Sequence, residues 1–298
     1  MLRTETSDAA GTAEHPGGMV VVEDGSSDAP AVLLLTNAAA PTAIWDPVVP
    51  LLAKGHRVIR VDLLSASTPS RSATAYDIDT LAGRVAAVLD RLGVTRVTVI
   101  GHSSGCTVAT ALAEQRPNLV AALALIDMGP DVGAKIPEGR AVRLLLRPRL
   151  GRLLWRLRSE TSVRKAARAG FTRPVDVPDA FVERAMTLRL QDFVGAMRAP
   201  LGYLAQRSLP DRLTPLGIPL LVIFGAEDQR WRPSSTAAYH VVPGARVELL
   251  PGVGHTPMME DPQATGELLL QFAALPDEAT RSEAPASRMS MPEPPALR

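Results

Sequence analysis

The sequence predicts an α/β fold: a doubly wound, mostly parallel sheet with an inserted helical cap. Three observations carry this expectation. Short, near-continuous runs of Val, Leu, Ile and Ala recur along the chain; longer segments of helical periodicity separate them; and the alternation stops for one interval of about 85 residues, Asp131 to Pro215. Such apolar runs suit strands buried on both faces, which parallel sheets require.

The candidate strands, in order, are Met19–Glu23, Val32–Thr36, Arg57–Asp62, Val97–His102, Ala122–Asp127, Leu220–Gly225 and Val247–Leu250. The first clear helix is Asp77–Leu92, where Ile78, Leu81, Val85, Val88, Leu89 and Leu92 form one stripe. Gly105–Gln115 follows a strand directly. Asp261–Ala274 opens with Asp261 as N-cap and Pro262 at the first helical position. The strand-free interval holds helical stretches punctuated by Pro137, Pro148, Pro174, Pro178, Pro200 and Pro210, which reads as a cap over the strand ends. The expected organisation is a core of 19–130 and 216–275, a cap of 131–215, and disordered tails at 1–18 and 276–298.

Composition narrows the function. With 298 residues, 46% apolar and a net charge of +1, the chain has ample material for a core and is not a disordered protein. One cysteine, Cys106, excludes a disulfide scaffold and is expected to be a small packed core residue. No apolar run approaches the roughly 18 residues of a membrane span, and residues 1–18 hold no apolar signal core, so a soluble cytoplasmic protein is the expectation. The five histidines are scattered without metal-ligand spacing, so no metal and no cofactor is expected.

Charge is unevenly spread. Between Lys135 and Arg173 twelve Lys/Arg face only Glu138 and Glu160, a window of +10 that leaves −9 on the rest. Nucleic acid is one reading of such a run. In Arg149–Arg158, however, Leu150, Leu153, Leu154 and Leu157 share one helical side and Arg149, Arg152 and Arg156 the other, as on a solvated amphipathic helix. The expected partner is therefore a small-molecule substrate, not nucleic acid; membrane contact through the basic cap is possible but not expected. The leucine face has two placements, down over Ser103 to line an apolar pocket or outward against a membrane, and the closed one, with the arginines left in water, is expected. Oligomeric state is not legible.

The chemistry centres on Gly101-His102-Ser103-Ser104-Gly105, between the strand ending at Ile100 and a helix-prone segment. Gly-x-Ser-x-Gly in a strand–turn–helix context is a nucleophile elbow: the tight turn strains the serine backbone and lifts its hydroxyl above the sheet. A serine hydroxyl needs a base. His255, in a Gly-rich loop after the last strand, fits that role, whereas His15, His56, His102 and His240 lie elsewhere. Asp228, in the loop after the preceding strand, is the candidate orienting acid, with Asp127 at the end of an earlier strand as its rival. The order Ser103, Asp228, His255 is the order of this type of site.

These motifs resemble the α/β-hydrolase fold superfamily, in particular its capped esterase-like serine hydrolases, across roughly Met19 to Leu275. Trp45, Arg57–Asp62, Ala122–Pro130, Gly225-x-x-Asp228, Gly254-His255 and Glu260-Asp-Pro262 add to the resemblance, and a serine at the elbow separates the chain from relatives with aspartate there. The resemblance implies ester hydrolysis, with an oxyanion hole formed by the backbone N–H groups of Ser104 and Ala38. Two departures stand out. The usual His-Gly after the strand near Leu35 is Thr36-Asn37, and the usual Arg-Gly-His-Gly-x-Ser loop is Leu64-Ser65-Ala66-Ser67-Thr68-Pro69. Asn37 is expected either to keep the turn through left-handed backbone or to present its amide to substrate; His102 is a second candidate substrate contact. Asn37 therefore also raises a lyase or carbon–carbon bond hydrolase with His255 as base. A non-catalytic binding protein is the third reading, weakened by the retained triad positions.

Overall fold

The computed structural model describes residues 11–15, 19–37, 39–64 and 76–282. A single eight-stranded sheet runs through it: β1 (Gly11–His15), β2 (Met19–Asp24), β3 (Ala31–Leu35), β4 (Arg57–Asp62), β5 (Val97–His102), β6 (Val120–Ile126), β7 (Leu220–Gly225) and β8 (Arg246–Leu250). Their spatial order is β1-β2-β4-β3-β5-β6-β7-β8. The β1/β2 and β2/β4 pairs are antiparallel and the others parallel. Leaving β3, the chain pairs with β4 on one side and β5 on the other, so a crevice opens beyond the carboxyl ends of β3 and β5.

Strand periodicity divides the core into two layers. Leu33 and Leu35 point to one face, against Val85 and Leu89 of α2 (Ile78–Arg91) and Val108 and Leu112 of α3 (Gly105–Gln115). Val32 and Leu34 point to the other, with Leu52 of α1 (Val49–Leu52), Trp45, and Leu269 and Phe272 of the last helix, Pro262–Ser282. Asp77 caps α2 by accepting from the Thr80 N–H at 2.9 Å, and Asp261 accepts from the Ala264 N–H at 3.1 Å, as their sequence positions require.

Between β6 and β7 lies the helical insertion: α4 (Arg140–Leu145), α5 (Pro148–Arg156), α6 (Glu160–Arg168), α7 (Asp179–Thr187), α8 (Leu190–Gln206) and α9 (Leu209–Leu213). Helix α8 packs on α2 and α3 through Ala196, Pro200, Tyr203 and Leu204. Tyr203 donates to Glu114 of α3 at 2.7 Å, and Arg212 of α9 bridges the same carboxylate while stacking on the Tyr203 ring. Arg184 of α7 pairs with Asp62 at the end of β4. The short helix α10 (Pro257–Glu260) and α11 (Pro262–Ser282) complete the fold. Among the described residues no helix is long and apolar enough to cross a membrane.

Three expectations need correction. The segment expected to be an N-terminal tail contains β1, whose backbone pairs from Gly11↔Glu23 to His15↔Met19; Pro16-Gly17-Gly18 between the two strands is a turn signal that the polar composition masked. At the other end α11 continues to Ser282, past the expected boundary at Leu275, because Asp277–Arg281 is polar but helix-compatible. Third, the leucine face of α5 does not close over the site. Leu150 and Leu154 are half-buried, whereas Leu153 is 54% and Leu157 70% exposed. The helix docks instead through Gly151, which is buried beside the Leu145 carbonyl, and Trp155, whose indole N–H donates to the Leu188 carbonyl at 3.0 Å and whose ring packs on Phe193. Those anchors are rotated away from the leucine stripe, so packing turns the stripe outward.

Candidate active site

The elbow follows from where glycine is required. Strand β5 ends at His102, α3 begins at Gly105, and Ser103 between them has φ +53°, the left-handed region that costs a side-chain-bearing residue on the order of 1–2 kcal/mol. Neighbouring backbone over-determines that strain: the Ser103 N–H donates to the Ile126 carbonyl at 2.8 Å and its own carbonyl accepts from Cys106 at 2.9 Å. A Cβ on Gly101 would stand 2.7 Å from Cys106 Cα, and one on Gly105 2.5 Å from the Leu35 carbonyl oxygen. Both motif glycines are thus demanded by close backbone approach.

The turn aims the Ser103 hydroxyl at His255, with Oγ 3.0 Å from Nε2. His255 Nδ1 lies 2.9 Å from Asp228 Oδ2. Asp228 accepts in addition from the Arg230 N–H at 2.6 Å and the Trp231 N–H at 3.3 Å, so its loop fixes it before histidine is considered. Burial, outweighing the nearby carboxylate, holds His255 below its ordinary pKa. Burial alone would raise Asp228, but the charge and hydrogen bond of His255 and the two backbone donors bring it below the usual carboxylate range. The resting state is a neutral imidazole, protonated at Nδ1 toward an ionised Asp228, with Nε2 free to accept from the serine hydroxyl.

The rival acid has a different environment. Asp127, fully buried and at φ +50°, accepts from the Gly225 N–H at 2.8 Å and holds β6 to β7. Burial first and the adjacent Asp228 charge second push its pKa well up, which favours its protonated form behind the site. His102, Asp127 and His255 bring ligand-type atoms within 4.8 Å of one another, yet both His255 nitrogens and His102 Nε2 are committed to hydrogen bonds.

Two assignments from the sequence change. His102 is 2% exposed; its Nε2 bonds the His255 carbonyl at 2.7 Å and its ring lies between Trp45 and His255. It braces the catalytic-type loop from behind and does not face a substrate, because alternation along β5 turns it into the core. Burial lowers its pKa to about 3, keeping it neutral. Asn37 does not use left-handed backbone: the non-glycine residues with positive φ among those described are Ser103 and Asp127. Its Oδ1 instead accepts from the Ala39 N–H at 2.9 Å, an Asx turn, and its carbonyl accepts from Ala40 at 3.0 Å. The side chain holds the turn beside the site, with only its Nδ2 left over. Ala38 lies outside the described residues. The Ser104 N–H, one residue past the nucleophile at the start of α3, has no backbone acceptor among the described residues. Cys106 is buried, with its thiol against the Gly101 and Ile126 carbonyls and its pKa pushed up by burial. Beside Ser104, the apolar side chains of Leu63, Val108, Ala196, Ala199 and Pro200 line a small cavity under α8.

Sequence reasoning missed the part played by Glu260. This buried carboxylate accepts from the Gly254, Thr172 and Arg173 N–H groups at 2.9 to 3.0 Å and from the Thr256 N–H at 3.2 Å. It pins both neighbours of His255 to the insertion, and Arg173 reinforces the tie through Asp261 at 2.7 Å. The Glu260-Asp-Pro262 motif marked the place but not the four donors, two of which come from 87 and 88 residues away. Glu260→Ala should strand those donors and reduce stability by about 3 kcal/mol or more, with a larger loss in turnover. Urea unfolding checks this; a loss under about 1 kcal/mol would refute the pinning role.

Comparison with known proteins gives the family. Residues 33–268 match the family model of the alpha/beta hydrolase family. An uncharacterized protein of Mycobacterium tuberculosis is 28% identical over 277 residues, covering 86% of this chain and 78% of that one. The pimeloyl-[acyl-carrier protein] methyl ester esterase of Aeromonas hydrophila is 27% identical over 246 residues, covering 82% and 95%. Among solved structures, haloalkane dehalogenase DbeA from Bradyrhizobium elkani aligns with a TM-score of 0.74 at 21% identity, over 91% of this chain and 99% of that one. At that identity the likeness is one of fold.

Proposed function

We propose, from the premise that the chain belongs to the alpha/beta hydrolase family, that it is a serine hydrolase cleaving a carboxylic ester or related acyl bond. The observation that carries the reading is the relay from Ser103 Oγ to His255 Nε2 at 3.0 Å and from His255 Nδ1 to Asp228 at 2.9 Å. Ser103 Oγ attacks the acyl carbonyl while His255 takes its proton at Nε2. Asp228 keeps Nδ1 protonated and stabilises the imidazolium that forms. The tetrahedral oxyanion is received by the Ser104 N–H and by the backbone N–H of Ala38. Collapse expels the alcohol, which leaves with the proton from His255, and an acyl-serine remains. Water, deprotonated by the same histidine, releases the acid and restores Ser103.

An esterase among the relatives supports the same bond type. The lyase reading needs the Asn37 amide on substrate; with its oxygen engaged by Ala39, Nδ2 is the group that would have to make that contact. A panel of p-nitrophenyl esters together with a fluorophosphonate probe is the test. Ester turnover with labelling supports the reading; labelling without ester turnover favours the lyase, and absence of both a binding protein.

The pH profile follows from the buried histidine. Catalysis needs neutral His255, whose pKa lies below its ordinary value of 6.5. The acid limb of kcat/KM is therefore expected below pH 6.5, with a plateau above it. An inflection above about pH 7 would contradict that assignment. Stability carries the same sign. His102 and His255 bind protons more readily unfolded than folded, so stability is full above about pH 6.5 and declines as pH falls toward the folded pKa values.

A further inference from the structure

We infer that the outer face of α4 and α5 is a docking surface for an anionic lipid bilayer. The inference is independent of what the active site cleaves. From Gly139 to Ser159 the chain carries seven arginines and seven leucines and no Asp or Glu. One of those arginines is structural: Arg158 donates to the carbonyls of Ala185, Met186 and Leu188. The other six, Arg140, Arg143, Arg147, Arg149, Arg152 and Arg156, are exposed, and their side chains have no hydrogen-bond or ion-pair partner among the described residues.

Apolar exposure coincides with this charge. Leu144, Leu153 and Leu157 are 39%, 54% and 70% exposed, and Val132 nearby is 41% exposed, so four of the seven large apolar side chains most exposed among the described residues fall between 132 and 157. Close packing of Gly151 on the Leu145 carbonyl makes α4 and α5 one body. On α5, at about 100° per residue, Arg152, Arg156, Arg149, Leu153 and Leu157 follow one another around the face opposite the Gly151–Trp155 anchor. Water suits the arginines and leaves the leucines uncovered. Nucleic acid would match the arginines through phosphate and equally leave the leucines uncovered. An anionic bilayer satisfies both: headgroup phosphates meet the guanidiniums and the acyl boundary covers the leucines. This reverses the expectation that the basic cap stays clear of membranes.

The test is co-sedimentation of the full chain with vesicles of phosphatidylcholine containing about one-third phosphatidylglycerol, against pure phosphatidylcholine vesicles, at low and high salt. Binding is expected to the anionic vesicles only and to weaken with salt. Arg149→Gln/Arg152→Gln/Arg156→Gln should lower partitioning about 100-fold, and Leu153→Ser/Leu157→Ser about 10-fold or more. Both variants alter exposed side chains, and unchanged circular dichroism and melting certify their folding; should one misfold, the other still decides. No partitioning, equal partitioning of the wild type and the folded variant, or binding to a DNA duplex that is indifferent to the leucine changes would overturn the proposal.

Discussion

Replacing Ser103 with alanine is expected to lower ester turnover by about 10⁶-fold and to abolish fluorophosphonate labelling, while the fold persists. The magnitude follows from what the hydroxyl does. Without Oγ there is no acyl-enzyme, and His255 at 3.0 Å has no proton to remove; what remains is the rate supplied by oxyanion donors and binding. The fold should survive because the backbone bonds of residue 103, to Ile126 and Cys106, are untouched and alanine tolerates φ +53° about as poorly as serine. Turnover within tenfold of wild type would remove Ser103 from the mechanism.

Asp228→Asn is expected to cost about 10⁴-fold in kcat, because an amide facing Nδ1 favours the tautomer that carries its proton on Nε2, where it cannot accept from serine. Asp127→Asn should cost far less in rate. Its carboxyl oxygen accepts from the Gly225 N–H and its pKa is raised by burial, so asparagine can keep that bond and remove a titratable neighbour of Asp228. Measuring kcat for both variants on one ester decides between the two acids. The reverse ranking would move the acid to the end of β6.

The site was largely legible because its parts are local. The elbow is five consecutive residues whose glycines are forced by backbone approach, and His255 and Asp228 stand in short loops after strands that apolar runs already marked. What escaped the sequence depends on distant partners. Glu260 draws two of its donors from the insertion; His102 is aimed inward by strand alternation that a turn motif does not reveal; Asn37 is spent on a turn two residues away. The leucine stripe of α5 was legible as a stripe. Its direction was not, since Trp155 and Gly151 fix the helix rotation through Leu188, Phe193 and Leu145. Strand β1 escaped because a polar edge strand carries little apolar signal.

The central claim is that Ser103 is activated by His255 to form a covalent acyl-type adduct. Intact-mass analysis after fluorophosphonate treatment, followed by peptide mapping, tests it most directly. One adduct per chain is expected, on the peptide bearing Ser103, forming faster as pH rises through the His255 pKa and strongly suppressed in a His255→Ala variant. An adduct on another residue, or unmodified Ser103 under conditions of full ester turnover, would contradict the account.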